Sequence, residues 1–361
     1  MRRRLLDLVA CPRCLGALDL TAGSVEGEEI LTGTLRCTAC STAYPVIGGV
    51  PRLLPDPSSV TPDAQRTVDR FGDQWNEFDF IGEHYERQFL GWIAPNGPET
   101  FKDQVILEGG CGKGRHSALA ARFGAKDVIA VDLGSAVEAA YRNTRAHPNV
   151  HVVQADLFHL PVKRDSVDVA FSIGVLHHTP DPRGAFLELV QRTRPGGRVI
   201  AWVYGHENNE WIVRGVDPIR KALTSRLPHR WVYQLSKIPA AMIFLGGRGV
   251  YQPLSKPPLD ALGRRLFYQA YVNYISAFPF NEIHSIVHDH LSPPIANYIR
   301  REEFADWFVD GGLEQVEIGW HNENSWRGTG IRPQAAHRDA SSGETAPVEA
   351  APGPKEAEAR P

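Results

Sequence analysis

The chain has 361 residues, 42% hydrophobic and 22% charged, a balance that excludes wholesale disorder and suits a globular protein. A net charge of −3 supplies no overall basic field for nucleic acid or anionic membrane, although it is compatible with a local patch. No run approaches the roughly 20 apolar residues of a membrane span, and the signal-like start Met1–Ala10 is short and broken by Asp7, so the expectation is a cytoplasmic protein without a transmembrane segment.

In chain order, residues 1–56 form a first module that holds four of the five cysteines and ends in the turn-rich Tyr44–Pro51. Residues 57–103 read as a linker, Pro55–Pro57 leading into it, followed by aromatic helices carrying Phe71, Trp75, Tyr85, Phe89 and Trp92. Within 104–205, short runs at Val105–Leu107, Val128–Val131, Val150–Val153, Val167–Ile173 and Arg198–Val203 alternate with helical patterns. Such near-continuous apolar runs indicate a parallel sheet covered on both faces. Asp181-Pro182 opens one of these helices as a cap, and Pro195-Gly196-Gly197 is expected to end it. The alternation stops over 206–301, which reads as a helical insertion, and it resumes over 302–332 with a helix and two closing strands. Residues 333–361, rich in Ala, Pro, Glu and Ser, read as a disordered tail.

Cys11, Cys14, Cys37 and Cys40 give the spacing C-x2-C-x22-C-x2-C. Each pair suits a tight turn, and two turns complete a tetrahedral four-thiolate site for structural Zn²⁺. With all four positions taken by sulfur, the metal has no open position for catalysis. Cys111 lies apart.

The strand Val105–Leu107 runs into Glu108-Gly-Gly-Cys-Gly-Lys-Gly114, where Gly110, Gly112 and Gly114 let backbone approach a ligand at the carboxyl end of a parallel strand. Asp132 ends the second strand and can take ribose hydroxyls; Asp156 follows the third and can accept from an adenine amino group. Either acid alone is more often a helix cap or a solvated loop residue. Three acids at three consecutive strand ends are much harder to attribute to capping.

From Gln104 to Tyr204 the chain resembles the class I S-adenosylmethionine (SAM) methyltransferases, in the branch with ubiquinone/menaquinone C-methyltransferase-like enzymes. The motifs carrying this are Ile106–His116, Val131-Asp132, Ala155-Asp156-Leu157, Phe171–His178 and Arg194–Ile200. The resemblance implies a Rossmann-like α/β sheet in which Glu108 and the 110–114 loop hold the methionyl end of SAM, Asp132 the ribose, and Asp156 with the Leu157 backbone the adenine. Gly109 replaces a usual hydrophobic residue, and Lys113 brings a positive charge towards a cationic sulfonium, which is unfavourable unless it points away. The stretches Leu5–Cys14 and Cys37–Leu54 resemble the zinc-ribbon activator subunit of tRNA and release-factor methyltransferases, here fused in cis, which implies a stabilising and non-chemical role. The expected fold class is therefore α/β, a Rossmann-like class I methyltransferase sheet with an N-terminal zinc-ribbon module and a helical insertion.

His177 and His178 follow the fourth strand, beside the acceptor position, and either can act as base or orient the acceptor. Tyr204 is a lesser candidate for lining that site. His284, His288, Asp289 and His290 raise a second metal site, but Pro293-Pro294 follow at once and no fourth ligand declares itself. A helix end lining the acceptor pocket is the preferred reading. The aromatic insertion reads as a lid or as ordinary helical core. The expected reaction is SAM-dependent methylation of a small-molecule or envelope-associated acceptor. The alternatives are an RNA base methyltransferase, supported by the modest basic stretch Arg214–Arg230, and a non-catalytic SAM-binding scaffold. An NAD(P) oxidoreductase would require G-x-G-x-x-G, and Arg115 stands where its last glycine belongs.

Overall fold

The β-branched runs pair edge to edge in the computed structural model, which describes residues 1–54 and 61–334. The first module contributes β1 (Leu18–Ala22), β2 (Val25–Glu26), β3 (Glu29–Ile30), β4 (Gly33–Cys37), β5 (Ala43–Ile47) and β6 (Val50–Leu53). Helices α1 (Pro62–Glu77) and α2 (His84–Ile93) follow. The middle of the chain then alternates β7 (Val105–Gly109), α3 (Arg115–Arg122), β8 (Asp127–Asp132), α4 (Ala136–Thr144), β9 (Val150–Ala155), β10 (Val167–Ile173), α5 (Pro182–Arg192) and β11 (Thr193–Tyr204). The Pro55–Pro57 linker and nearly all of the expected tail lie outside the described residues.

The core strands order as β9-β8-β7-β10-β11, all parallel, because strands buried on both faces need helical crossovers. Asp181 accepts from the Gly184 amide at 2.9 Å, the cap expected beside Pro182. The end of that helix differs from expectation. α5 stops at Arg192, and β11 runs through Pro195-Gly196-Gly197 as an irregularity, the register slipping between the Val167–Thr193 and Val169–Arg198 pairs. Pairing along β10, and the Gly196 amide donating to the Arg332 carbonyl at 2.7 Å, hold the turn residues within the sheet.

After β11 the chain leaves the sheet for α6 (Asp217–Ala222), α7 (His229–Gly246), α8 (Gln252–Leu254), α9 (Asp260–Gly263), α10 (Gln269–Ile275) and α11 (Phe280–Leu291). These helices have an apolar cluster of their own around Ala240, Ile275, Phe278, Ile283 and Val287. The chain returns through α12 (Arg301–Asp310), β12 (Glu314–His321) and β13 (Ser325–Ile331), with β13 inserted antiparallel between β11 and β12.

The cysteine module does not stand apart. Its strands β1-β4-β5-β6 join the core through a parallel pairing of β6 with β9, Arg52 beside Gln154 and Leu53 beside Ala155, making one eleven-stranded sheet. Leu5, Val9, Tyr44 and Val46 share a buried cluster with Leu107, Val131 and Val153. This shared apolar burial carries the joint. The part-exposed ion pairs along it, such as Arg4–Asp127 at 2.9 Å, add little.

Candidate active site and metal centre

The four cysteines converge: Cys11 Sγ lies 3.7 Å from Cys40 Sγ and Cys14 Sγ 3.5 Å from Cys37 Sγ, with all four sulfurs within 4.8 Å of one another. Zn–S bonds of about 2.3 Å at tetrahedral angles place sulfurs about 3.8 Å apart, so the residues fit the ion. The Cys40 amide, 3.4 Å from Cys37 Sγ, and the Tyr44 hydroxyl, 3.2 Å from Cys11 Sγ, support the thiolates. At Gly16 a Cβ would stand 3.0 Å from Cys37 Sγ and 3.3 Å from Cys14 Sγ, so only glycine closes the first turn without crowding the sulfurs.

At the carboxyl ends of the core strands lies a cavity of about 540 Å³. The loop after β7 enters it with Gly110 at φ +81 and Gly112 at φ +51. A Cβ at Gly110 would strike the Val175 side chain at 2.4 Å. Asp132 holds the loop, one carboxylate oxygen accepting from the Gly112 amide and the other from the Gly134 amide, each at 2.9 Å. Burial pushes the Asp132 carboxyl above its ordinary pKa, and those amides pull it back. Asp156 accepts from the Phe158 amide at 3.0 Å and faces His159 Nδ1 at 3.1 Å, so it caps its own turn and also lines the cavity with Leu157.

Two expected cofactor residues are not brought to the cavity. Glu108 lies fully buried behind the loop, where it accepts from the Ser117 hydroxyl and faces His116 Nδ1 at 3.2 Å, tying down the first turn of α3. Desolvation raises its pKa to about 8. Gly114 faces α4, Ala140 being its close neighbour. Lys113 turns away from the loop: its ammonium donates to the Phe78 carbonyl at 2.7 Å and the Tyr85 hydroxyl at 2.9 Å, and lies 4.6 Å from the centre of the Phe80 ring. Burial lowers its pKa to about 7, and its orientation towards Phe78 and Tyr85 is what eases the conflict with a cationic ligand.

Of the two histidines after β10, only His178 reaches the cavity. Its Nδ1 donates to the Ile295 carbonyl at 2.8 Å, which leaves the lone pair on Nε2, 4.0 Å from Asp289 Oδ2 and without a hydrogen-bond partner. Asp289 accepts from the Tyr204 hydroxyl. Burial lowers the His178 pKa to about 3, so the ring is neutral. His177 is sealed underneath, 4.1 Å from the Tyr204 ring and 4.2 Å from the His178 ring, with neither nitrogen hydrogen-bonded. Among the rest of the histidine cluster, His288 donates to Gln74 Oε1, His284 to the Tyr233 carbonyl, and His290 stacks on Tyr204. α11 lines the cavity, as its preferred reading expected, through Asp289 together with Glu282, Ser285 and Ile286 on one helical face; the last three carried no marker in the sequence. Phe71 and Trp75 from α1, Trp92 from α2 and Arg115 complete the wall.

These neutral buried histidines make stability acid-sensitive. The pKa values of His178 and His288 are lowered to about 3 and that of His290 to about 4, against about 6.5 in an unfolded chain. Their contribution is therefore complete above about pH 6.5 and is lost as pH falls towards 3–4. The urea midpoint is expected to be lower at about pH 5 than at about pH 7.5; equal midpoints would contradict the assignment.

Residues 107–201 match the family described as Methyltransferase domain, and residues 2–49 match the Trm112p-like protein family. The tRNA U34 carboxymethyltransferase of Cellvibrio japonicus is 33% identical over 105 residues, which cover 28% of this chain and 33% of that protein. The enzyme of the same name from Marinobacter nauticus is 29% identical over 160 residues, covering 41% of this chain and 48% of that protein. The chain spans less than half the length of these two relatives. A solved complex of the Haloferax volcanii Trm112 methyltransferase activator with a methyltransferase overlaps 74% of this chain and 99% of that chain at TM-score 0.42 and 15% identity. Both relatives are named for a tRNA nucleoside and neither for a quinone.

Proposed function

We propose that this chain, which carries a class I methyltransferase domain fused in cis to a Trm112p-like zinc ribbon, transfers a methyl group from SAM to an RNA base. One observation carries the enzymatic reading: a single cavity is walled on one side by Gly110–Lys113, Asp132 and Asp156 and on the other by His178, Tyr204 and Asp289. We place the reaction in the cytoplasm, where the free thiolates of a four-cysteine site persist.

The Gly110–Lys113 backbone, Asp132, Asp156 and Leu157 would hold SAM, which when bound supplies a methyl carbon made electrophilic by its sulfonium. The chain's remaining task is to present a nucleophile at about 3 Å and keep water out. Phe71, Trp75, Trp92 and Trp202 supply apolar walls on which a flat ring can stack. His178 Nε2, neutral and without a partner, accepts a hydrogen bond from the acceptor's N–H or O–H and so orients the nucleophile towards the methyl carbon, while the Ile295 carbonyl fixes the ring through Nδ1. Tyr204 and Asp289 orient the acceptor beside it.

The names of the two relatives support RNA as the acceptor. The aromatic enclosure of the cavity favours a second reading, a small apolar or envelope-associated acceptor. Incubating the protein and methyl-labelled SAM with total RNA and, separately, with the organic-soluble fraction of a cell extract distinguishes them. Label in nuclease-released nucleosides is the expected result, and label confined to the organic fraction replaces it with the second reading. In the labelled reaction His178→Gln is expected to slow turnover by about 100-fold with unchanged SAM affinity, the loss expected when the acceptor is no longer held in line with the methyl carbon. Because His178 stays neutral, the wild-type rate should show no acid limb from this group down to about pH 5. Equal loss of SAM affinity in His178→Gln would make the residue structural.

A further inference from the structure

Between Pro218 and Leu259 the chain contains no aspartate or glutamate, yet seven of these residues are lysine or arginine. Such a stretch is unexpected in a protein whose net charge is −3. It includes α7, which turns Val232, Ser236 and Ala240 inward against α11. On the other side, Trp231, Leu235, Ile238, Met242 and Leu245 are 55%, 47%, 62%, 66% and 68% exposed. Their spacing of four, three, four and three residues draws one straight apolar ridge about 21 Å long on the outside of the molecule. Just before it, Ile219 of α6 and Leu223 at the end of that helix are exposed as well. Scattered exposed apolar residues are ordinary, whereas a continuous ridge marks a contact surface.

The ridge is flanked by cations on flexible stems. Arg226 and Arg230 are exposed, the Arg230 guanidinium lies 5.9 Å from the Trp231 ring centre, and the Lys237 ammonium lies 4.7 Å from that of Tyr233. Among the described residues no helix is long and apolar enough to cross a membrane. We propose that the outer face of α7 is an interfacial docking surface that seats this protein on an anionic lipid bilayer. The aliphatic ridge enters the boundary between headgroups and acyl chains, Trp231 sits at headgroup level, and Arg226, Arg230 and Lys237 meet lipid phosphates. A nucleic acid would use the cations but give Leu235, Ile238, Met242 and Leu245 nothing to contact. A second copy would set one basic stretch against another, Asp73 and Glu77 of α1 facing only its His229 and Tyr233 edge. The surface goes beyond the proposed reaction and holds for either acceptor. α11, on which α7 rests, carries Ser285 and Asp289 into the cavity, so docking would bring the lid of the site against the bilayer.

The test is co-sedimentation of the full chain with vesicles of equal parts phosphatidylcholine and phosphatidylglycerol, and with vesicles of phosphatidylcholine alone. Binding to the mixed vesicles is expected to be at least about tenfold stronger and to weaken with salt. Ile238→Glu with Met242→Glu should reduce it about tenfold or more, and so should Arg230→Glu with Lys237→Glu. These side chains lie outside the core, and calorimetry with SAM reports whether each variant remains folded. Failure of the wild type to bind mixed vesicles overturns the proposal, as does binding that is indifferent to Ile238→Glu and Met242→Glu. Salt-sensitive binding to an RNA oligonucleotide that is lost only in Arg230→Glu with Lys237→Glu would assign the face to nucleic acid instead. A dimer abolished by the ridge variant would assign it to self-association.

Discussion

Asp132→Ala is expected to leave the protein folded and to weaken SAM binding by at least about 100-fold, as read by calorimetry. The carboxylate ends β8 and accepts from the amides of Gly112 and Gly134, so it both shapes the glycine loop and faces the cavity. Hydrogen bonds to a charged group contribute about 1.5–3 kcal/mol each, and about 1.4 kcal/mol is tenfold in affinity. Losing the loop's two anchors together with the ribose contact therefore exceeds two decades. Asp132→Asn, which keeps one acceptor oxygen, should fall between. The sheet beneath does not depend on this side chain, since Val128–Val131 are buried on both faces. An affinity within about threefold of wild type in a folded Asp132→Ala protein would remove the assignment of this cavity to SAM.

Stripping the metal from the ribbon, or replacing Cys11 by Ser, is expected to lower the melting temperature by about 10 °C or more and to weaken SAM binding in the same samples. Structural zinc contributes about 10–16 kcal/mol of apparent binding free energy in isolated fingers. Even a third of that corresponds to such a shift at about 2–4 °C per kcal/mol in a domain of this size. The coupling to SAM follows from the sheet. β6 lies in register with the end of β9, Leu53 beside Ala155, and Asp156 is the next residue. Leu5, Val9, Cys11 and Leu35 also belong to the cluster that covers Leu107 and Ile129. A loosened ribbon therefore uncovers the strand that presents the adenine-side acid. A single cooperative transition is expected in calorimetric melting. Two separate transitions, with SAM affinity unchanged after chelation, would show that ribbon and core fold independently.

Local order made much of this legible beforehand. Two C-x2-C turns bring four sulfurs within 4.8 Å because each turn is short and its geometry is set by neighbouring residues. The glycine loop, the acids at Asp132 and Asp156 and the β10 histidines occupy strand ends, and parallel strands joined by helices bring such ends to one edge. The side on which a residue faces was not legible. Glu108 shares the motif with Gly110 and Gly112 but points behind the loop to Ser117 and His116. His177 and His178 are adjacent, and packing under Tyr204 leaves only the second in the cavity.

The sequence by itself determined the alternating core elements, the thiolate cluster and the strand-end chemistry, because each is written in residues close together along the chain. Only the tertiary structure decided that β6 would close onto β9, that Asp289 of α11 would face His178 across more than a hundred residues, and that α7 would turn its ridge outward. Those outcomes depend on which of several apolar faces bury one another, and a face bears no mark of its partner until the whole chain has closed around the core.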